Sequence, residues 1–237
     1  TGGRLFVTEV EDPNPIAPAF LDACETVGIP SYDDMNGEMM EGEGGAALAN
    51  VRIKDGMRRN IPSDYLWETL KRPNITLLTG ATVHRIELDG TTVTGVTFEK
   101  DGEVMTVGAN ERVVLSAGAI NTPKILMQSG IGPAAHLKEV GVDVKHDLPG
   151  VGQNFQDHIL AAGCVWEYNT PLPPKNSAAE ATFFWKSDPS LDTPDLQPFQ
   201  IEVPYVSEIH GGAYEVPAGT WTIAPGIVRP QSRGEVK

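Results

Sequence analysis

Residues 75–130 alternate in a way that few folds accept. Three runs rich in β-branched residues, "ITLLTGATVHRIEL", "TTVTGVTFEK" and "EVMTVGANERVVLSAG", meet at Asp89-Gly90 and Asp101-Gly102, dipeptides suited to tight hairpins. That spacing predicts an antiparallel β-meander. The end of the last run, "RVVLSAG", drops the polar alternation of a half-exposed strand, so it reads as a parallel strand covered on both faces. A helix is predicted directly after it, with Thr122 as cap, Pro123 at the first helical position and Gly130 at the end. A meander feeding a parallel strand and a helix makes the class α/β here, and α+β overall.

The flanks are organised differently. Residues 1–42 are rich in proline around one helical stretch, "PAFLDACETVG", where Phe20, Ala23, Cys24 and Val27 fall at helical spacing and Gly28 stands at the C-terminal cap. "GEGGAALANVRI" follows, then "IPSDYLWETLK", in which Ser63 is the expected cap of a helix carrying Tyr65, Leu66, Trp67 and Leu70. After residue 158 come a Pro-rich connector, "NTPLPPKNS", and strand-like segments that carry Phe183, Phe184, Trp185, Phe199, Tyr205 and Trp221. Such aromatic residues supply a core or a cavity wall.

Composition excludes several functions. A formal charge of −14, with Arg58-Arg59 as the longest basic cluster, excludes nucleic acid as a partner, because phosphate-backbone binding needs clustered cations. Hydrophobic residues make up 40% of the chain, enough for a folded core. No apolar run approaches the roughly 20 residues of a membrane-spanning helix. No secretory signal is visible, so a cytoplasmic setting is the expectation. Cys24 and Cys164 stand far apart with no metal-ligand spacing, and they read as ordinary buried thiols. Glu38, Glu41 and Glu43 read as a solvated loop.

The turn between the parallel strand and the helix is where a ligand could sit. Ligands of open α/β sheets lie beyond the carboxyl ends of strands, and Ser116, Ala117, Gly118 and Ala119 are small enough to let another molecule approach the backbone. The positive end of the helix favours a polar or anionic group.

"SAGAINTPKILMQSGIGP" resembles the second signature of the glucose-methanol-choline (GMC) flavoprotein oxidoreductases. "RPNITLLTGATVHRI", "HLKEVGVDVKHDLPGVGQNFQDH", the closing "RPQSRGEV", the opening "TGGRL" and "YDDMNG" are similar to that family's segments, in the same order. The resemblance implies FAD bound in a doubly wound domain and an alcohol held against the flavin under a second, mostly antiparallel domain. It implies hydride transfer from an alcohol carbon to the flavin N5, with a histidine taking the hydroxyl proton. It places residues 1–42 in a cap segment of the substrate domain, 43–157 in the FAD domain and 158–237 in the substrate domain. Val83 falls where the family's backbone bonds the adenine edge, and Ser116, Ala117 and Gly118 fall on the adenosine side of the cofactor. Glu180 falls where choline-oxidising members carry a carboxylate.

Two of the family's features are not found. The GxGxxG fingerprint has no counterpart in these residues, and none of His84, His136, His146, His158 and His210 matches the catalytic position. The expectation is therefore a central fragment of an alcohol oxidase or dehydrogenase, inactive alone and completed by the remainder of its parent polypeptide. Its broken sheet would leave edges exposed, making it marginally stable or self-associating. A hydroxynitrile-lyase-like relative with non-redox FAD and a non-enzymatic folded fragment are the alternatives. Asp157 beside His158 suggests a Ser-His-Asp triad, but adjacent residues rarely point at each other and no GxSxG elbow is present.

Overall fold

The computed structural model describes residues 3–217 and 219–237. Thr1 and Gly2 of "TGGRL", Ala218 and the side chain of His210 lie outside the described residues. The chain forms two compact units, Thr1–Ile75 with Asp157–Pro230, and Thr76–Gln156 with Gln231–Lys237. In chain order the elements are α1 (Ile16–Thr26), α2 (Glu38–Glu41), β1 (Gly44–Leu48), β2 (Ile53–Lys54), β3 (Met57–Arg58), a wide helical turn (Pro62–Leu66) and α3 (Trp67–Thr69). Next come β4 (Ala81–Asp89), β5 (Thr92–Lys100), β6 (Glu103–Gly108), α4 (Gly118–Gln128), β7 (Ile131–Gly132), α5 (Ala134–Glu139) and β8 (His146–Asp147). The rest are β9 (Ile159–Leu160), β10 (Val165–Glu167), β11 (Ala181–Trp185), β12 (Phe199–Ile201), α6 (Glu208–Ala213), β13 (Thr220–Ala224) and β14 (Gly226–Ile227).

The first unit is built on an antiparallel sheet in the order β1-β11-β12-β13-β10. Successive residues of a strand face opposite sides. Ala46, paired with Phe183, packs against α1, while Ala47, paired with Thr182, packs against Met39 of α2 and Phe184. The small side chains of β1 let helices approach on both faces. Helix α1 buries Ala17, Phe20 and Cys24, and the rings of Phe20 and Phe183 lie 6.0 Å apart. Burying one such ring contributes about 1.5–3 kcal/mol. The buried stripe begins a turn earlier than the sequence predicts: Ala17 enters it, whereas Ala23 is exposed and Val27 is 74% exposed. Gly28 follows the helix as expected, its N–H donating to Glu25 O.

Segment 43–75 joins this unit through the β1–β11 pairing. Its helical part starts at Asn60 instead of Ser63. The Ser63 N–H donates to Asn60 Oδ1 and the Asn60 N–H to Ser63 Oγ, both at 2.9 Å, a reciprocal capping box with the asparagine as cap.

The second unit contains the meander, in the order β4-β5-β6. Asp101 and Gly102, with φ of 55° and 81°, form the two-residue turn between Lys100 and Glu103, whose twist matches that of the strands. Helix α4 packs on β4, and Met127, Leu137 and Val151 form the core below. Strands β7 and β8 pair in parallel, joined through α5.

The structure departs from the expected pattern at three places. Residues 112–116 form no strand and pair with none of the described strands, and Val114 is 75% exposed. Residues 75–79 are likewise unladdered, with Leu77 and Leu78 exposed. The helix begins at Gly118, not Pro123, which falls inside its second turn. Thr122 still serves the helix start, its Oγ1 accepting the Ala117 N–H at 3.1 Å. Gly130 closes the helix, its N–H donating to Met127 O. The mixture of helices, meander and antiparallel sheet is that of the expected class.

Candidate functional site

The turn before α4 opens on a cavity of about 600 Å³ lined by Gly118, Ala119, Thr122, Leu126, Gly152 and Asn154. Gly118 has φ +86°, a conformation L side chains rarely adopt, and a Cβ built on it would meet nothing within 4 Å. The glycine thus shapes the turn and leaves open space beside it. Ser116 and Ala117 are exposed next to it, and the first N–H groups of the helix are free by the geometry of any helix start. The far wall is tied down by the chain end, where the Val236 N–H donates to Gly152 O at 2.7 Å and Phe155 exchanges both backbone bonds with Gly234. Val83 is half-buried in β4, opposite Phe98, with a register irregularity between it and Arg85. Small residues and backbone form the turn side of the cavity, and no carboxylate is among the lining residues.

The first unit holds a buried acidic cluster. Glu180 is fully buried, its Oε2 accepting the Asn14 N–H at 2.6 Å and its Oε1 the amide of Asn176. Glu202 Oε2 accepts from Asn14 Nδ2 at 2.9 Å and from the Lys175 N–H at 2.6 Å. Burial pushes the Glu202 carboxyl up to about 7, and the neighbouring Glu180 adds to this. Burial, with the charge of Glu202, also raises the Tyr168 hydroxyl. Tyr168 Oη, Glu202 Oε1 and the Gln200 amide are buried without a hydrogen-bond partner. In the same unit, a mostly apolar cavity of about 420 Å³ is lined by Cys164, Trp166, Val206, Tyr214 and Val216. Trp166 stacks on Trp221 at 5.2 Å.

The remaining candidates are dispersed. His84 lies on β4, 3.5 Å from Glu99, His136 on α5 and His146 on β8. The Asp157–His158 contact is made by the histidine's backbone N–H, at 2.8 Å from Asp157 Oδ1, so it orients no imidazole. Glu43 pairs with Lys186 at 2.9 Å. Asn14, Glu202 and Tyr168 were missed by sequence reading, because Asn14 lies 166 and 188 residues from the carboxylates it joins.

The chain thus carries a glycine turn opening on a cavity in one unit and an antiparallel sheet in the other. Residues 2–160 match the family model described as GMC oxidoreductase, and the chain belongs to that family. FAD is the cofactor this membership carries. The chain is 44% identical over 220 residues to an oxygen-dependent choline dehydrogenase of Rhizobium meliloti (strain 1021), and 37% identical over 220 residues to that of Sinorhizobium fredii (strain NBRC 101917 / NGR234). Each match covers 83% of this chain and 39% of the relative. The crystal structure of pyridoxine 4-oxidase from Mesorbium loti matches with TM-score 0.87 and 33% identity, covering 99% of this chain and 46% of the other. The chain thus spans less than half the length of these relatives.

Proposed function

We propose that these residues form part of an FAD-dependent oxidoreductase that oxidises a small alcohol, with the second unit on the flavin side and the first on the substrate side. The observation carrying this reading is the open Gly118 turn on its cavity, within the segment that matches the family. Ala117, Gly118 and Ser116 are the proposed adenosine-side wall, and Val83 the proposed backbone partner of the adenine edge. The bound flavin supplies the hydride acceptor. The chain's own residues bind and orient: the turn offers backbone donors, and the cavity near Trp166 offers an apolar wall for the alcohol. With both oxygens engaged, Glu180 contributes to substrate selection through the negative charge of its cluster.

No histidine of this chain is proposed as the base, and no turnover is proposed for the chain alone. The remainder of a longer polypeptide is the proposed partner that covers Val114, Leu77 and Leu78. The test is anaerobic addition of small alcohols to the complete product of the encoding gene. Bleaching of its flavin absorbance is the expected result. A flavin that stays oxidised with every alcohol would favour the lyase-like reading.

A further inference from the structure

The geometry points to a phosphate-binding site in the first unit, between the β2–β3 hairpin and the loop at Asn176-Ser177. A cavity of about 790 Å³ there is lined by Asn50, Arg52, Arg58, Arg59, Asn60 and Ser177, and no carboxylate lines it. In a chain of formal charge −14, three guanidinium groups on one cavity have a specific cause or a specific use.

The hairpin sets two of them against each other. The Arg59 N–H donates to Arg52 O at 2.6 Å, so Arg52 and Arg59 stand opposite each other just beyond the Ile53–Arg58 pair, where like charges destabilise the pair. Asp64 is the counter-charge, and it is spent on one side. Its Oδ1 accepts from Arg59 Nε at 2.8 Å and lies 2.7 Å from Arg59 Nη2, whereas its Oδ2 is 3.8 Å from Arg52 Nη2. Arg52 Nε and Nη2 are consequently buried without a hydrogen bond. The exposed Arg58 side chain has no hydrogen bond or ion pair among the described residues.

Asp64 therefore neutralises Arg59 closely and Arg52 only through a long ion pair, and Arg58 has no counter-charge of its own among the described residues. The Arg52 side chain keeps 37% of its surface exposed, and an anion with several oxygens takes N–H bonds from it and from Arg58 at once. A phosphate group, with its higher charge, suits two guanidinium groups better than a lone carboxylate does. The Asn60 amide adds a neutral donor on the same wall, while the Ser177 hydroxyl donates to Ala179 O and the Asn50 amide to Asp34 Oδ1. The ligand class is a small phosphate-bearing molecule; three cations are too few for a nucleic-acid track.

The test is titration of the complete product of the encoding gene, labelled with ¹⁵N-arginine, with inorganic phosphate, reading the Arg Nε–H resonances, against chloride and acetate at matched ionic strength. Saturable shifts of Arg52 and Arg58 with phosphate alone are expected, weakened about tenfold by Arg58→Met, a change at an exposed position that leaves the fold intact. Non-saturating shifts that chloride reproduces, equal saturation by acetate, or an Arg58→Met variant that binds as before would each overturn the proposal. None of these outcomes bears on the flavin reading, which rests on the second unit.

Discussion

The Ile86 N–H donates to the Ser129 hydroxyl at 2.9 Å, and that hydroxyl donates onward to the Ile125 carbonyl at 2.6 Å. The relay covers the outer edge of β4, which would otherwise leave a buried N–H unpaired, and fixes α4 on the meander. Since α4 carries the Gly118 turn at its other end, this relay also positions the candidate site. Ser129→Ala removes the acceptor of a buried donor, and a loss of about 1–3 kcal/mol is expected. Hydrogen exchange at the Ile86 amide checks it; unchanged protection would show that the bond is unimportant.

Glu202 predicts a pH dependence of defined sign. Its folded-state carboxyl lies at about 7, above the ordinary value of 4.5. Below the ordinary value both states are protonated and no penalty exists. As pH rises towards 7 the unfolded state releases a proton that the folded state retains, so stability falls, levelling off above 7. Glu202→Gln keeps an acceptor for Asn14 and Lys175 and removes this loss. Denaturant midpoints of the two proteins should diverge across that window, by at most a few kcal/mol, with the variant more stable at high pH. Parallel curves would refute the assignment.

Asp64 acts in the opposite direction. Burial raises its carboxyl, but bonds from Arg59, Ser63 and the Phe6 N–H outweigh burial and hold it below the usual carboxylate range. Its contribution is present above the unfolded-state value and is lost as pH falls through the folded-state value. Asp64→Asn should therefore lower stability at neutral pH and flatten the acid limb of the unfolding profile. Acid titration followed by circular dichroism checks this, and an unaltered acid limb would count against it.

Much of the local architecture is legible in the sequence because short-range chemistry determines it. Asp101-Gly102 specifies its turn through two positive φ values, and Gly28 and Gly130 stop their helices where expected. Helix starts are less legible. Pro123 marks a first helical position by propensity, yet the helix runs back to Gly118, where the Thr122 hydroxyl and the glycine's left-handed φ set the start. The run at 112–118 reads as a covered strand, but a strand exists only with its neighbours, and none of the described strands pairs with it. The Asn14–Glu180–Glu202 cluster depends on contacts across more than 160 residues, which no local pattern encodes.

The central claim is that the Ala117–Gly118 turn lies against FAD, and the flavin content of the complete gene product measures it most directly. Gly118→Val places a branched side chain at φ +86°, at a cost of about 1–3 kcal/mol, and fills the space beside the turn. The account predicts near-stoichiometric flavin in the unaltered protein and little in a Gly118→Val protein that remains folded. Equal flavin in both would contradict it.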